Sequence, residues 1–201
     1  MADRMPALFD LTGRRALVTG SSQGIGLALA RGLAEAGAQV ILNGRNRDNL
    51  RAAADSIPGA AMLPFDVTDH EGARAAVDFY ESTEGPIDIL VNNAGIQHRA
   101  ALEDFPPEAF ERLLQTNIAS VFHVGQACAR HMIPRGRGRI INLASVNAAM
   151  ARASIAPYTA TKGAVVNLTK GMATDWARHG LNCNAIAPGY IRTPLNAALW
   201  S

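Results

Sequence analysis

Short apolar, β-branched runs alternate with longer amphipathic segments along nearly the whole chain, and that alternation leaves few folds open. The strand candidates are Arg15-Ala-Leu-Val-Thr19, Gln39-Val-Ile-Leu-Asn43, Ala61-Met-Leu-Pro-Phe65, Ile87-Asp-Ile-Leu-Val91, Arg139-Ile-Ile-Asn-Leu143 and Asn182-Cys-Asn-Ala-Ile186. Helical patterns lie between them at 24–37, 47–56, 69–83, 107–132 and 157–179. Strands that follow one another through helices pair in parallel, and a parallel sheet needs both faces covered. The pattern predicts an α/β fold: a doubly wound, Rossmann-type parallel sheet in a three-layer α/β/α sandwich. With 201 residues, 48% of them hydrophobic, and no repeat or linker, it also predicts one domain over 1–201.

Other readings find little support. The net charge of +2 points to no nucleic-acid partner, and Arg135-Gly-Arg-Gly-Arg139 reads as a loop before a strand. The two cysteines, Cys128 and Cys183, are far apart, lack metal-ligand spacing and sit in apolar stretches, as small buried hydrophobes of a reducing compartment do. The start from Met1 to Asp10 has no long apolar run, so neither a secretory signal nor a membrane span is expected, and the location expected is cytoplasmic.

In such a sheet ligands lie across the carboxyl ends of the strands. The first of these loops is Thr19-Gly20-Ser21-Ser22-Gln23-Gly24-Ile25-Gly26, with a helix directly after it. Glycines there permit a tight turn, and a helix N-terminus offers free N–H groups to a pyrophosphate. Further on, Tyr158 and Lys162 stand four residues apart, a spacing that puts a phenol and an ammonium on one helix face. A free phenol has a pKa of about 10, and a neighbouring cation favours the phenolate. Strand two ends in Asn43-Gly44-Arg45-Asn46, with no carboxylate for a ribose 2′-OH and with Arg45 placed for a 2′-phosphate.

The G-x-x-x-G-x-G spacing resembles the cofactor motif of the short-chain dehydrogenases/reductases. Asn92-Asn93-Ala94-Gly95 matches a second motif of that family, and the matches continue in order across most of the chain. The resemblance implies a nicotinamide-dependent oxidoreductase that interconverts a secondary alcohol and a ketone, with Tyr158, Lys162, Ser145 and Asn117 as its catalytic residues. Tyr158 would exchange the proton, Ser145 would bond the substrate oxygen, Lys162 would also hold the nicotinamide ribose, and Asn117 would hold a relay water. The residue-level alternatives are a cap for Ser145 and a helix irregularity satisfied by Asn117. Cofactor contacts would come from Gly20, Ser22, Gln23, Gly24, Ile25, Gly26, Arg45, Asp66, Val67, Asn93, Ala94, Gly95, Tyr158, Lys162, Pro188, Gly189, Ile191 and Thr193. NADP(H) is favoured over NAD(H), against which stands only Gln23, where many NADP-preferring members carry a basic residue.

Several stretches, among them Val40-Ile-Leu-Asn-Gly-Arg-Asn46 and Ile155-Ala-Pro-Tyr-Thr-Ala-Thr-Lys-Gly-Ala-Val165, resemble members of the family whose substrate is a sugar acid. A carboxylate substrate asks for a cation, and Arg99 and Arg152 are the candidates beside Ser145 and Tyr158, with a plain surface arginine as the alternative for each. His98 is a weaker one. The resemblance also implies homo-oligomers for full-length relatives, and a further helix pair and seventh strand beyond Trp200-Ser201. A chain truncated in this way leaves two other readings open: a reductase of 3-oxoacyl thioesters or other polyols, and a cofactor-binding remnant without turnover.

Overall fold

The computed structural model describes residues 7–191. Its six strands all run parallel, in the order β3-β2-β1-β4-β5-β6. They are β1 (Arg15–Val18), β2 (Gln39–Leu42), β3 (Ala61–Met62), β4 (Ile89–Asn92), β5 (Gly138–Leu143) and β6 (Leu181–Ile186). The helices are α1 (Gly24–Glu35), α2 (Arg47–Asp55), α3 (His70–Thr83), α4 (Pro107–Leu114), α5 (Ser120–Met132) and α6 (Ala156–Trp176).

The period-two side-chain alternation of each strand sorts the core into two layers. Ala16, Val18, Val40, Leu42, Ile89 and Val91 pack with Ala30 of α1 and Leu50 and Ala53 of α2. Leu17, Ile41, Leu90 and Ile140 point the other way, onto Val77 of α3, Val124 and Cys128 of α5, and Val165 and Met172 of α6. This is the predicted Rossmann-type sandwich. Both cysteines are buried and free. No helix among the described residues is long and apolar enough to cross a membrane.

Three elements differ from the sequence reading, each for a local reason. β3 stops at Met62 rather than Phe65, because Pro64 has no N–H to donate and the buried Asn43 amide takes up the carbonyls of Leu63 and Phe65 instead, both at 3.1 Å. The expected helix 107–132 contains a π-helical stretch, Gln115–Ala119, that separates α4 from α5. The last helix ends at Trp176, and the 3₁₀ turn Ala177–His179 closes on Gly180 in the left-handed region, φ +76°.

Candidate active site

The switch point of the sheet lies between β1 and β4, where the chain order reverses. Asn93, just after β4, donates from its side chain to the carbonyls of Thr19 and Gly20 at 3.0 and 3.1 Å. Thr19 Oγ1 in turn accepts from the backbone N–H groups of Asn93 and Ala94. Two glycines make this lock possible. Gly20 has φ +61°, and a Cβ at Gly26 would lie 2.5 Å from both Asn93 Nδ2 and the Gly20 carbonyl oxygen.

From that turn a cleft of about 1090 Å³ runs across the carboxyl ends of the strands to Ser145, Tyr158 and Lys162. It is lined by Gly20, Ser22, Gln23, Gly24, Ile25, Arg45, Asp66, Val67, Asn93, Ala94, Gly95, Pro188, Gly189 and Ile191. Those predicted cofactor residues therefore share one surface. Gly26 lies beneath it and is buried. Thr193 lies outside the described residues.

The cleft suits a dinucleotide on physical grounds. α1 begins at Gln23 without a capping side chain and without an acidic first turn, whereas α2 and α3 are capped by Asn46 and Asp69. The uncapped N–H groups at the glycine turn are what a pyrophosphate needs. At the far end Lys162, only 6% exposed, spends one donor on the Leu143 carbonyl at 2.6 Å. Its other two donors are left for hydroxyl acceptors in the cleft. Arg45 reaches Asp66 at 3.4 Å. Burial pushes the Asp66 carboxyl up, but its hydrogen bonds from Thr68 and the Arg45 guanidinium bring it below the usual value.

Ser145 ends the loop after β5 in extended geometry and caps the 3₁₀ turn Val146–Ala148, accepting from Asn147 N–H at 3.2 Å. It is also hydrogen-bonded to the Tyr158 phenol. The capping and catalytic readings of this serine are thus compatible. Asn117 sits in the π-helical stretch, fully buried. Its Oδ1 accepts from Ile96 N–H at 2.8 Å, and its Nδ2 donates to Ile96 O and Thr161 Oγ1. Both amide protons are used, and one acceptor position on Oδ1 remains. A Cβ at Gly95 would lie 3.3 Å from that oxygen and 3.7 Å from Lys162 Nζ, so both groups border the same glycine.

The electrostatics depart from the expectation. Burial pushes the Tyr158 phenol above the ordinary tyrosine value, the hydrogen bond from Ser145 opposes this, and the nearby Tyr190 phenol adds to the upward push. Lys162 Nζ stands 5.7 Å from the Tyr158 ring centroid and is turned to a carbonyl, and desolvation brings its own pKa down to about 8. Burial therefore outweighs the cation that i, i+4 spacing suggested.

Arg99 lines the rim of the cleft, its Nη1 held by Ser154 Oγ at 3.1 Å. Ser154 has φ +66°, a left-handed backbone in a non-glycine residue, and its carbonyl accepts from Ala100 N–H at 3.2 Å. Arg152 is not in the lining; it lies 5.5 Å over the ring of Tyr190. Neither arginine is ion-paired to a carboxylate among the described residues. Sequence reasoning missed Tyr190, Asn147 and Gln97, which line the same end. Their only signal was adjacency to motifs already found: Gly189, Ser145 and Gly95.

Residues 14–201 match the family described as short chain dehydrogenase. The chain belongs to that family. As a short-chain dehydrogenase it is 57% identical over 198 residues to the gluconate 5-dehydrogenase of Gluconobacter oxydans, covering 96% of this chain and 77% of the relative. It is 43% identical over 199 residues to the 5-keto-D-gluconate 5-reductase of Escherichia coli K12, covering 97% and 78%. Among solved structures, a gluconate 5-dehydrogenase from Burkholderia cenocepacia in complex with NADP and tartrate superposes with a TM-score of 0.94 at 54% identity, covering 96% of this chain and 77% of that one.

Proposed function

We propose that this short-chain dehydrogenase interconverts D-gluconate and 5-keto-D-gluconate with a nicotinamide cofactor. The observation that carries the reading is a single cleft that joins an uncapped phosphate turn to Ser145, Tyr158 and Lys162 and ends at Arg99, an arginine with no carboxylate partner among the described residues. The relatives named for gluconate and 5-ketogluconate, and the one crystallised with the diacid tartrate, favour an acidic polyol at that end.

A bound nicotinamide supplies the hydride acceptor or donor. The chain supplies the proton chemistry. Ser145 donates toward the reacting oxygen and orients it. Tyr158 takes the hydroxyl proton during oxidation and returns it to the ketone oxygen during reduction. Lys162 holds ribose hydroxyls with its two spare donors, and the Asn117 Oδ1 position bordering Gly95 suits a water that passes the proton outward. Burial holds the phenol up, and a bound oxidised nicotinamide would supply the positive charge that favours its phenolate.

NADP(H) is the preferred cofactor in this reading, since β2 ends without a carboxylate and Arg45 borders the cleft. A 2′-phosphate would compete with Asp66 for the Arg45 guanidinium. The same reading treats residues 1–201 as one domain.

The test is reduction of 5-keto-D-gluconate by the chain, with acetoacetyl thioesters as competing substrates. Tyr158→Phe should lower turnover by a factor of about 10²–10⁴ while cofactor binding stays close to that of the parent. Arg45→Ala should weaken NADPH far more than NADH. Faster turnover of the thioester, or substantial activity in Tyr158→Phe, overturns the assignment.

A further inference from the structure

We propose that Tyr190 is a substrate-contacting, specificity-determining residue: its phenol donates to the carboxylate end of the substrate, in the cleft that Arg99 also lines. The inference rests on the sugar-acid reading and adds a residue that neither motif nor resemblance singled out.

The geometry starts from the strand ends. β5 and β6 are parallel neighbours, and Val146 N–H bonds the Pro188 carbonyl at 3.1 Å just beyond them. That bond ties the segment carrying Tyr190 to the loop carrying Ser145. Tyr190 lines the cleft together with Ser145, Tyr158, Asn147 and Arg99.

Its phenol oxygen is within hydrogen-bonding reach of the Arg152 guanidinium and the Asn147 amide. Arg152 also covers the ring face, with Cζ 5.5 Å from the centroid. Asn147 is 8% exposed and begins in the turn that Ser145 caps, so this partner is held by the catalytic loop itself. A guanidinium can only donate to the phenol oxygen, so the phenol's own proton is free to turn from Arg152 toward an acceptor in the cleft.

Arg99 and Arg152 stand near the phenol with no carboxylate partner among the described residues, a local charge that favours an anionic acceptor. A carboxylate is the planar, two-oxygen anion an acidic polyol carries. Arg99 is held by Ser154, whose left-handed backbone also accepts from Ala100 N–H. A substrate with its carbinol at Ser145 and Tyr158 therefore meets both the loop after β4 and the loop after β6.

The test compares Tyr190→Phe with the parent on 5-keto-D-gluconate and on the neutral ketose L-sorbose, at saturating NADPH. Tyr190 is 49% exposed, so loss of its hydroxyl leaves the core untouched, which a thermal melt verifies. We expect KM for the acid to rise about tenfold with kcat within about twofold, as for loss of one hydrogen bond to a charged group. KM for L-sorbose should stay unchanged. Calorimetric binding of D-gluconate to the NADP-loaded chain should weaken by the same factor, without dependence on turnover. If both substrates shift together, or neither shifts, Tyr190 has no such role even though the parent acts on the acid. If the parent neither reduces 5-keto-D-gluconate nor binds D-gluconate, the sugar-acid reading falls and takes this one with it.

Discussion

The three tyrosines of this chain show how far environment moves one functional group. Tyr80 is buried beneath the sheet, and desolvation raises it. Tyr158 is also raised by burial, despite the lysine one helical turn away. Tyr190 is held below the ordinary value by the Arg152 guanidinium bonded to its oxygen, with Asn147 and Arg99 adding to the effect. Ultraviolet titration of the ligand-free chain should therefore show one phenol ionising early and two late. Tyr190→Phe should remove the early component, and Tyr158→Phe should remove a late one. Loss of the early component in Tyr158→Phe would mean that Lys162, not burial, governs the catalytic phenol. The tyrosine–lysine spacing was legible in the sequence; the direction of the shift was not, because it depends on which way the ammonium turns.

At the level of elements, α6 is fastened to β5 and β4 by a buried polar chain. Asn92 Nδ2 donates to Asn142 Oδ1 at 2.9 Å, joining β4 to β5. Asn142 Nδ2 donates to Thr169 Oγ1 at 2.9 Å, joining β5 to α6. Thr169 Oγ1 passes on to the Val165 carbonyl at 2.7 Å. All three side chains are buried. Such a chain stabilises only while every member is paired. Asn142→Ala should cost about 1–3 kcal/mol in urea unfolding, because it strands the Asn92 amide donor and the Thr169 acceptor where water cannot reach. The double variant with Asn92→Ala should cost less than the two single losses added together. Strict additivity would show that the two asparagines are independent. The sequence placed Asn92 in a motif after strand four; it gave no sign of its partner, which lies fifty residues away.

For the whole molecule the relevant contest is between function and stability at Lys162. In the folded chain desolvation brings its pKa down to about 8 from the ordinary lysine value of 10.5. Below pH 8 the native state bears the full cost of a buried ammonium, on the order of 3 kcal/mol. As pH rises from 8 toward 10.5 the native lysine has released its proton while the unfolded one still binds it, so that cost fades. Lys162→Met should therefore raise stability near pH 7 by about 1–3 kcal/mol, after discounting the lost bond to Leu143. The gain should shrink through that window and be gone near its upper end. Urea unfolding of both chains at several pH values checks this. A gain that is constant with pH would mean that improved packing, not charge burial, is responsible.

The sequence by itself determined the order and kind of the elements, because strand and helix periods are local and the turns between them carry glycine, proline and asparagine. It also determined the glycine turn, which lies in eight consecutive residues, and the Tyr158–Lys162 pair, whose spacing is one helical turn. It did not determine the early end of β3 or the π-helical stretch at Asn117. The first depends on Asn43 reaching across to Leu63 and Phe65, the second on Asn117 bonding both backbone groups of Ile96. Nor did it place Tyr190 at the site, or put Arg152 behind that ring rather than in the cleft. Those positions are decided where the ends of β4, β5 and β6 converge, since only the tertiary structure brings loops fifty and ninety residues apart within hydrogen-bonding distance.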